Sequence, residues 1–246
     1  MKRLLLLAPL LALAACEGSI ANAVGEVTSN AGRSSFSDGS PIGTSASNPG
    51  AFEGVALAGP DNIVFTTQDD FSIRAEGDDE VVELLRYKIS GDQIRIGRED
   101  NRGVRGNATI YVGAPSLKSA KLAGSGDMKI DAMTTDSTKL SIAGSGDIRV
   151  AKVETLSLSS KIAGSGSLVL TGRAKSTDIS VAGSGDVSGK DLNADSASIS
   201  IAGSGDVELS SDGSVNAKVM GSGDVRIHGD AECKSRSTGS GDITCG

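Results

Sequence analysis

The sequence predicts an all-β chain folded as a β-solenoid (β-helix), with about seven rungs of 18–20 residues behind an irregular N-terminal cap. Gly-Ser-Gly recurs with its leading glycine at Gly124, Gly144, Gly164, Gly183, Gly203, Gly221 and Gly239, at spacings of 20, 20, 19, 20, 18 and 18 residues. A fixed period of this size marks stacked repeats. The flanking residues alternate. Two before the leading glycine stand Leu122, Ile142, Ile162, Val181, Ile201, Val219 and Ser237, and four after it Met128, Ile148, Leu168, Val187, Val207, Val225 and Ile243. Five after it stand Lys129, Arg149, Val169, Ser188, Glu208, Arg226 and Thr244, and six after it the column returns to residues such as Ile130, Val150 and Leu170. In, out, in is the period of a strand with one buried face. A strand-turn-strand unit this short cannot bury its own apolar side, so the copies must stack. The glycines suit the turn because they accept positive φ. Neither the asparagine-marked leucine-rich pattern nor the roughly nine-residue calcium β-roll period fits.

Residues 1–15 read as a signal peptide: Met1-Lys2-Arg3, an apolar run from Leu4 to Leu13, then Ala14-Ala15 before Cys16. That run is about half the roughly 20 residues a membrane-spanning helix needs, so it is a signal and not an anchor. Leu13-Ala14-Ala15-Cys16 resembles the lipobox of bacterial lipoproteins, which implies that Cys16 becomes the first mature residue and carries acyl chains. Two or more chains anchor stably, at roughly 0.8 kcal/mol per buried CH₂. The alternative is an ordinary secretory signal with an incidental cysteine. Glu17, where enteric bacteria place aspartate for inner-membrane retention, favours the outer membrane over the inner.

Residues 16–51 are rich in Gly, Ser, Ala and Asn and show neither strand nor helix period, so a flexible tether is expected there, with Phe36 a stray aromatic. Order is expected from Phe52, and the domain spans 52–246. Its first part, 52–115, holds short strands near 55–58, 62–67, 71–75, 87–90, 93–96 and 108–112, a short helix over 78–86 capped by Asp78 or Asp79, and five of the six aromatic residues. Residues 116–246 are the regular repeats.

The repeated Gly-Ser-Gly-Asp followed by Ile or Val, with its lead-in Ala114-Pro115-Ser116-Leu117-Lys118-Ser119-Ala120-Lys121-Leu122-Ala123-Gly124, resembles the head GIN domain family, also labelled auto-transporter adhesin head. The likeness covers roughly 52–246 and implies an exported β-helical protein of the cell envelope, with adhesion as the suggested role. An auto-transporter also needs a membrane-spanning β-barrel. The sequence stops at Gly246, directly after the seventh turn, so the expectation keeps the fold and leaves out the translocator.

The conspicuous chemistry is the aspartate after each turn: Asp127, Asp147, Asp186, Asp206, Asp224 and Asp242, with Ser167 in the third copy. Stacking sets such carboxylates about 5 Å apart, a repulsion of roughly 0.8 kcal/mol in water. Each is expected to accept hydrogen bonds from amides of its own turn. The alternative is a calcium-binding ladder, since carboxylate and hydroxyl oxygens are hard ligands. The turn serines line up too, but a serine nucleophile needs a base, and the lone histidine, His228, sits on an outward column. No catalytic residue, metal ligand or cofactor is therefore assigned. A polysaccharide-processing enzyme is the second alternative, opposed by equivalent carboxylates where glycosidic chemistry needs unlike ones. No aromatic follows Tyr111 to stack on sugars. Val169 is the one outward apolar break in the columns.

An exported chain keeps disulfides, and Cys233 and Cys245 lie six before and six after Gly239, on columns held elsewhere by Val215 and Ile227. They are the candidate pair, against two buried free thiols. A net charge of −7 speaks against nucleic acid and an anionic membrane surface as partners. The expectation is a non-catalytic envelope lipoprotein, touching the membrane through its lipid only and offering an adhesive or scaffolding surface to a protein or glycan.

Overall fold

The computed structural model describes residues 36–99 and 104–246. The cap comprises β1 (Ser40–Pro41), β2 (Gly54–Gly59), β3 (Asn62–Thr67), β4 (Ser72–Gly77), a one-turn helix α1 (Asp79–Val82), β5 (Leu85–Ser90), β6 (Gln93–Arg98) and β7 (Ala108–Ala114). The repeats follow as β8 (Ser119–Gly124), β9 (Met128–Ile130), β10 (Met133–Gly144), β11 (Ile148–Gly164), β12 (Leu168–Gly183), β13 (Val187–Gly203), β14 (Val207–Gly221), β15 (Val225–His228), β16 (Glu232–Gly239) and β17 (Ile243–Cys245).

Each repeat pairs in parallel with the next, one period on. Gly124 lies opposite Gly144, then Gly164, Gly183, Gly203, Gly221 and Gly239. This is a β-solenoid of about six turns. The count falls below the seven rungs expected because seven Gly-Ser-Gly corners bracket only six complete circuits. The columns set by alternation are the core: Ile142, Ile162 and Val181 on one side of the corner, and Ile148, Leu168 and Val187 on the other, are all buried. In the last circuit nothing stacks on top, and Ser237 in the same column is exposed.

The second corner of each rung is not a break. β11 to β14 run through it as single strands of 15 to 17 residues, with register irregularities such as those between Val150 and Val153 and between Gly189 and Asn193. Those irregularities absorb the difference between 18- and 20-residue periods, which leaves the Gly-Ser-Gly corner invariant.

The cap continues the same stack. β2 pairs in parallel with β8, and Gly59 lies opposite Gly124; β3 does so with β9. The turn Gly59-Pro60-Asp61-Asn62 is thus a further corner of the solenoid, 65 residues before its neighbour in the stack. β6 and β7 form one more parallel layer on β2 and β3. There the parallel stacking ends, because β5 and β4 pair antiparallel with β6 and β7, and β1 pairs antiparallel with β5. Antiparallel strands laid over a parallel edge close it against further strand addition.

Two expectations for this region need correction. The tether expected over 16–51 is ordered from residue 36: Phe36 and Ile42 are buried, and Ser47 bridges to Ile73. Phe36 lies against Gly97, where an added Cβ would sit 2.4 Å from its ring, so the glycine is what makes room for it. Few apolar residues suffice here because they land on an existing sheet. The remainder of that stretch, with Cys16 and the signal region, lies outside the described residues. The helix expected over 78–86 spans only Asp79–Val82; Asp78 caps it, accepting from Glu80 N at 3.0 Å, while Leu85 and Arg86 pair in β5.

Candidate functional site

The Gly-Ser-Gly-Asp corner is built by close backbone approach. Gly164 has φ of +136°, and a Cβ on it would lie 2.2 Å from the carbonyl oxygen of Gly144 in the rung before. Gly166 is as tightly held, with its hypothetical Cβ 2.1 Å from Gly146 O. That closeness lets Ser165 N and Gly166 N both donate to Gly144 O, at 2.9 and 3.2 Å.

The aspartates bind across rungs and not, as expected, within their own turns. Asp147 N donates to Asp127 Oδ1 at 3.0 Å, Ser167 N to Asp147 Oδ1 at 2.7 Å, Asp206 N to Asp186 Oδ1 at 2.9 Å, Asp224 N to Asp206 Oδ1 at 2.8 Å and Asp242 N to Asp224 Oδ1 at 2.9 Å. Asn62 extends the series into the cap, accepting from Asp127 N at 2.9 Å. The reason is geometric: the side chain points along the stack, where the next rung's amide arrives one strand spacing away. Five of the six carboxylates, all but the terminal Asp242, thus spend one oxygen as a charge-assisted acceptor, tying rung to rung. Ser167, lacking a carboxylate, interrupts the series. Among the described residues no group of three or more His, Cys, Asp or Glu is placed to hold a metal ion.

The other singled-out residues are dispersed. His228 is not isolated: its Nε2 lies 2.6 Å from Glu208 Oε1, one rung away, and holds that carboxyl below its ordinary value. Val169 is half-buried between Arg149 and Ser188 of adjacent rungs, so it is less of an apolar spot than its column suggested. Cys233 and Cys245 are joined by a disulfide with Cα atoms 6.6 Å apart, across the open end of the core above Val215 and Ile227. Its closed loop of 12 residues implies a contribution on the order of 2–3 kcal/mol. Reduction, or Cys233→Ser with Cys245→Ser, is expected to speed amide exchange in 232–246 while leaving 119–209 protected; hydrogen exchange measured with and without reductant checks this.

Outside the corner, the sheet carrying β8 and the second halves of β10 to β14 presents small side chains in register. One outward column is Ala123, Ala143, Ala163, Ala182 and Ala202, running on to the exposed Met220, and another is Ser137, Ser157, Ser176, Ser196 and Ser214, running on to Glu232. The result is a flat face with a repeat of one strand spacing, about 4.8 Å.

Sequence reasoning missed one site. Asp61 is fully buried and receives Arg98 through two bonds, Nε to Oδ2 at 2.8 Å and Nη2 to Oδ1 at 2.7 Å. Ala108 N also donates to Asp61 Oδ1, and Arg98 donates to Gly106 O, both at 2.8 Å. Asp61 occupies the place of the second turn glycine. It fits because its side chain points at the layer of β6, which offers a guanidinium there instead of a turn carbonyl. Only the stacking of Gly59 on Gly124 would have exposed that equivalence.

Several solved structures share this fold. An adhesin from Bacteroides fragilis, described as putative, aligns at a TM-score of 0.75 with 21% identity, over 82% of this chain and 95% of that one. A similarly described adhesin from Parabacteroides merdae aligns at 0.65 with 17% identity, over 83% and 96%. A protein from Parabacteroides distasonis described as a "Putative lipid binding protein" aligns at 0.62 with 21% identity, over 82% and 95%. Among functionally curated proteins none matches by sequence. The family model "Putative auto-transporter adhesin, head GIN domain" matches residues 51–231. The description of that family refers to an adhesin, as do those of the Bacteroides fragilis and Parabacteroides merdae structures. Because that match takes in the capping layers and six of the seven Gly-Ser-Gly corners, the chain belongs to the head GIN domain family.

Proposed function

We propose that the protein is a non-catalytic, lipid-anchored rod of the bacterial envelope whose long faces serve as an adhesive or scaffolding surface for a protein or glycan. One observation carries this: in the repeats the outward columns recur from rung to rung, so among the described residues that surface offers many similar contacts rather than a convergent set of unlike groups. Catalysis needs the opposite, a positioned acid, base or nucleophile in an environment of its own. An adhesive surface gains from repetition, because several weak contacts held on one rigid body add into avidity. Cys16 supplies the anchor, in the outer membrane by the character of the residue after it. The same repetition disfavours both a polysaccharide-processing enzyme and a discrete calcium site.

The test uses cells producing the full chain, cells producing Cys16→Ala, and cells lacking it. Incorporation of labelled palmitate into the wild type but not Cys16→Ala is expected. Wild-type cells should adhere to one another or to isolated envelopes several-fold better than either control. Equal adhesion in all three strains, or release of new reducing ends from polysaccharide by the purified chain, would overturn this reading.

A further inference from the structure

The flat face also carries a file of positive charge that runs against the acidic character of the chain. Ten strands of one sheet stack in the order β5, β6, β2, β8, β10, β11, β12, β13, β14, β16, and one outward column crosses all of them in register. Six of its ten positions are Lys88, Arg95, Lys121, Lys161, Lys218 and Arg236; the other four are one alanine and three serines, and none is acidic. The neighbouring column adds Lys139 and Lys234 against a single carboxylate, Asp178. Yet the chain as a whole has a net charge of −7.

Lys88 pairs with Asp38, but among the described residues no ion pair engages Arg95, Lys121, Lys161, Lys218 or Arg236. Apart from Asp178 and Glu232, the carboxylates of the repeats lie off these columns, in the turn series and around the second corner at residues such as Asp191, Asp195 and Asp212. Nothing in the fold requires this arrangement. Ser141, Ser180 and Ser200 fill the same column in intervening rungs, whereas Lys218 and Arg236 stand on adjacent strands and repel. A column that costs stability where serine would serve points to a ligand.

The geometry points to a linear acidic polysaccharide lying along the rod axis on this file, and this inference rests on the adhesive reading above. The cations are one to three strands apart, about 5 to 14 Å, over a file on the order of 43 Å. That spacing suits charges repeated along an extended chain and not a single bound anion. The surrounding columns are mostly small, alanine on one side as far as the exposed Met220 and serine interspersed with Lys139, Asp178, Asn216 and Lys234 on the other, and their hydroxyls can bond sugar oxygens. Acidic corners flank the file on both sides, so a single chain fits between them, whereas a plane of anionic headgroups would meet the carboxylates too. Binding through charge also explains why this face needs no aromatic rings to stack on sugars.

The test is calorimetry and affinity electrophoresis of the full chain with polygalacturonate, and with dextran as the neutral control, in low salt and in about 0.5 M salt. Lys121→Ser, Lys161→Ser and Lys218→Ser are combined, since serine already occupies this column; Ser180→Lys with Ser200→Lys is the converse variant. Expected are binding to polygalacturonate alone, weakening by about tenfold or more in high salt and in the triple-serine variant, and strengthening in the converse variant. No binding in low salt, or binding indifferent to both variants, overturns the proposal. So does equal or tighter binding to phosphatidylglycerol vesicles or single-stranded DNA. Retention on envelopes that persists in the triple-serine variant would leave the adhesive reading standing while this one fails.

Discussion

Gly166→Ala is expected to lower stability by about 3 kcal/mol or more, at or beyond the upper end of what overpacking costs, because the site cannot relax. Its Cβ would lie 2.1 Å from Gly146 O and 2.9 Å from Ile142 Cγ2, against a normal carbon to oxygen approach of more than 3 Å. The rungs would have to part there, and that parting breaks the pair of bonds that Ser165 N and Gly166 N make to Gly144 O. The damage sits mid-stack. A solenoid is stabilised by contacts between neighbouring rungs, so the loss should divide it into two weakly coupled halves and broaden the denaturant transition. Gly43→Ala is the control: a Cβ there meets only Ser45 N, at 4.0 Å, and φ is not positive, so a change within about 0.5 kcal/mol is expected. Chemical unfolding followed by circular dichroism measures both. A Gly166→Ala protein that unfolds with the wild type would show that the corners do not need their glycines.

Arg98→Met is expected to cost about 3–5 kcal/mol, because it strands the Asp61 carboxylate, which has no exposure of its own, without its partner. The guanidinium is held above its ordinary basicity chiefly by its hydrogen bonds to Asp61, with burial opposing, so it stays charged throughout the accessible pH range. The double variant Arg98→Met with Asp61→Asn should recover most of the loss, since a neutral amide oxygen can still accept from Ala108 N while no buried charge is left over. A double-mutant cycle on unfolding free energies is the measurement. Additive losses would mean that the two residues act separately. A large coupling would identify the pair as the lock between the capping layers and the first corner.

The regular half of the molecule was legible because its determinants are local. Glycine at fixed spacing, alternation on either side and a cysteine six residues from each side of Gly239 are properties of neighbouring residues, and each reappears as a corner, a buried column or the disulfide. The cap was legible only as strands. Its first corner uses Pro60 and Asp61 where the repeats use Ser and Gly, and the whole stretch from β4 to β7, residues 72–114, lies between it and the rung it stacks on. Phe36 and Ile42 looked like linker residues for a related reason: a strand of two residues has no period to read, and its order comes from β5 beneath it.

By itself, then, the sequence determined the all-β class, the rung length, which side chains face inward and where the corners fall. These follow from glycine's freedom at positive φ and from the two-residue period of a strand, neither of which depends on distant residues. The tertiary structure alone decided which rung neighbours which at the cap, where each turn aspartate finds its donor, the burial of Asp61 with Arg98, and the joining of Lys88 and Arg95 to the lysines of the repeats in one file. Those are relations across the stack, between residues brought about 4.8 Å apart by strand pairing whatever their separation along the chain.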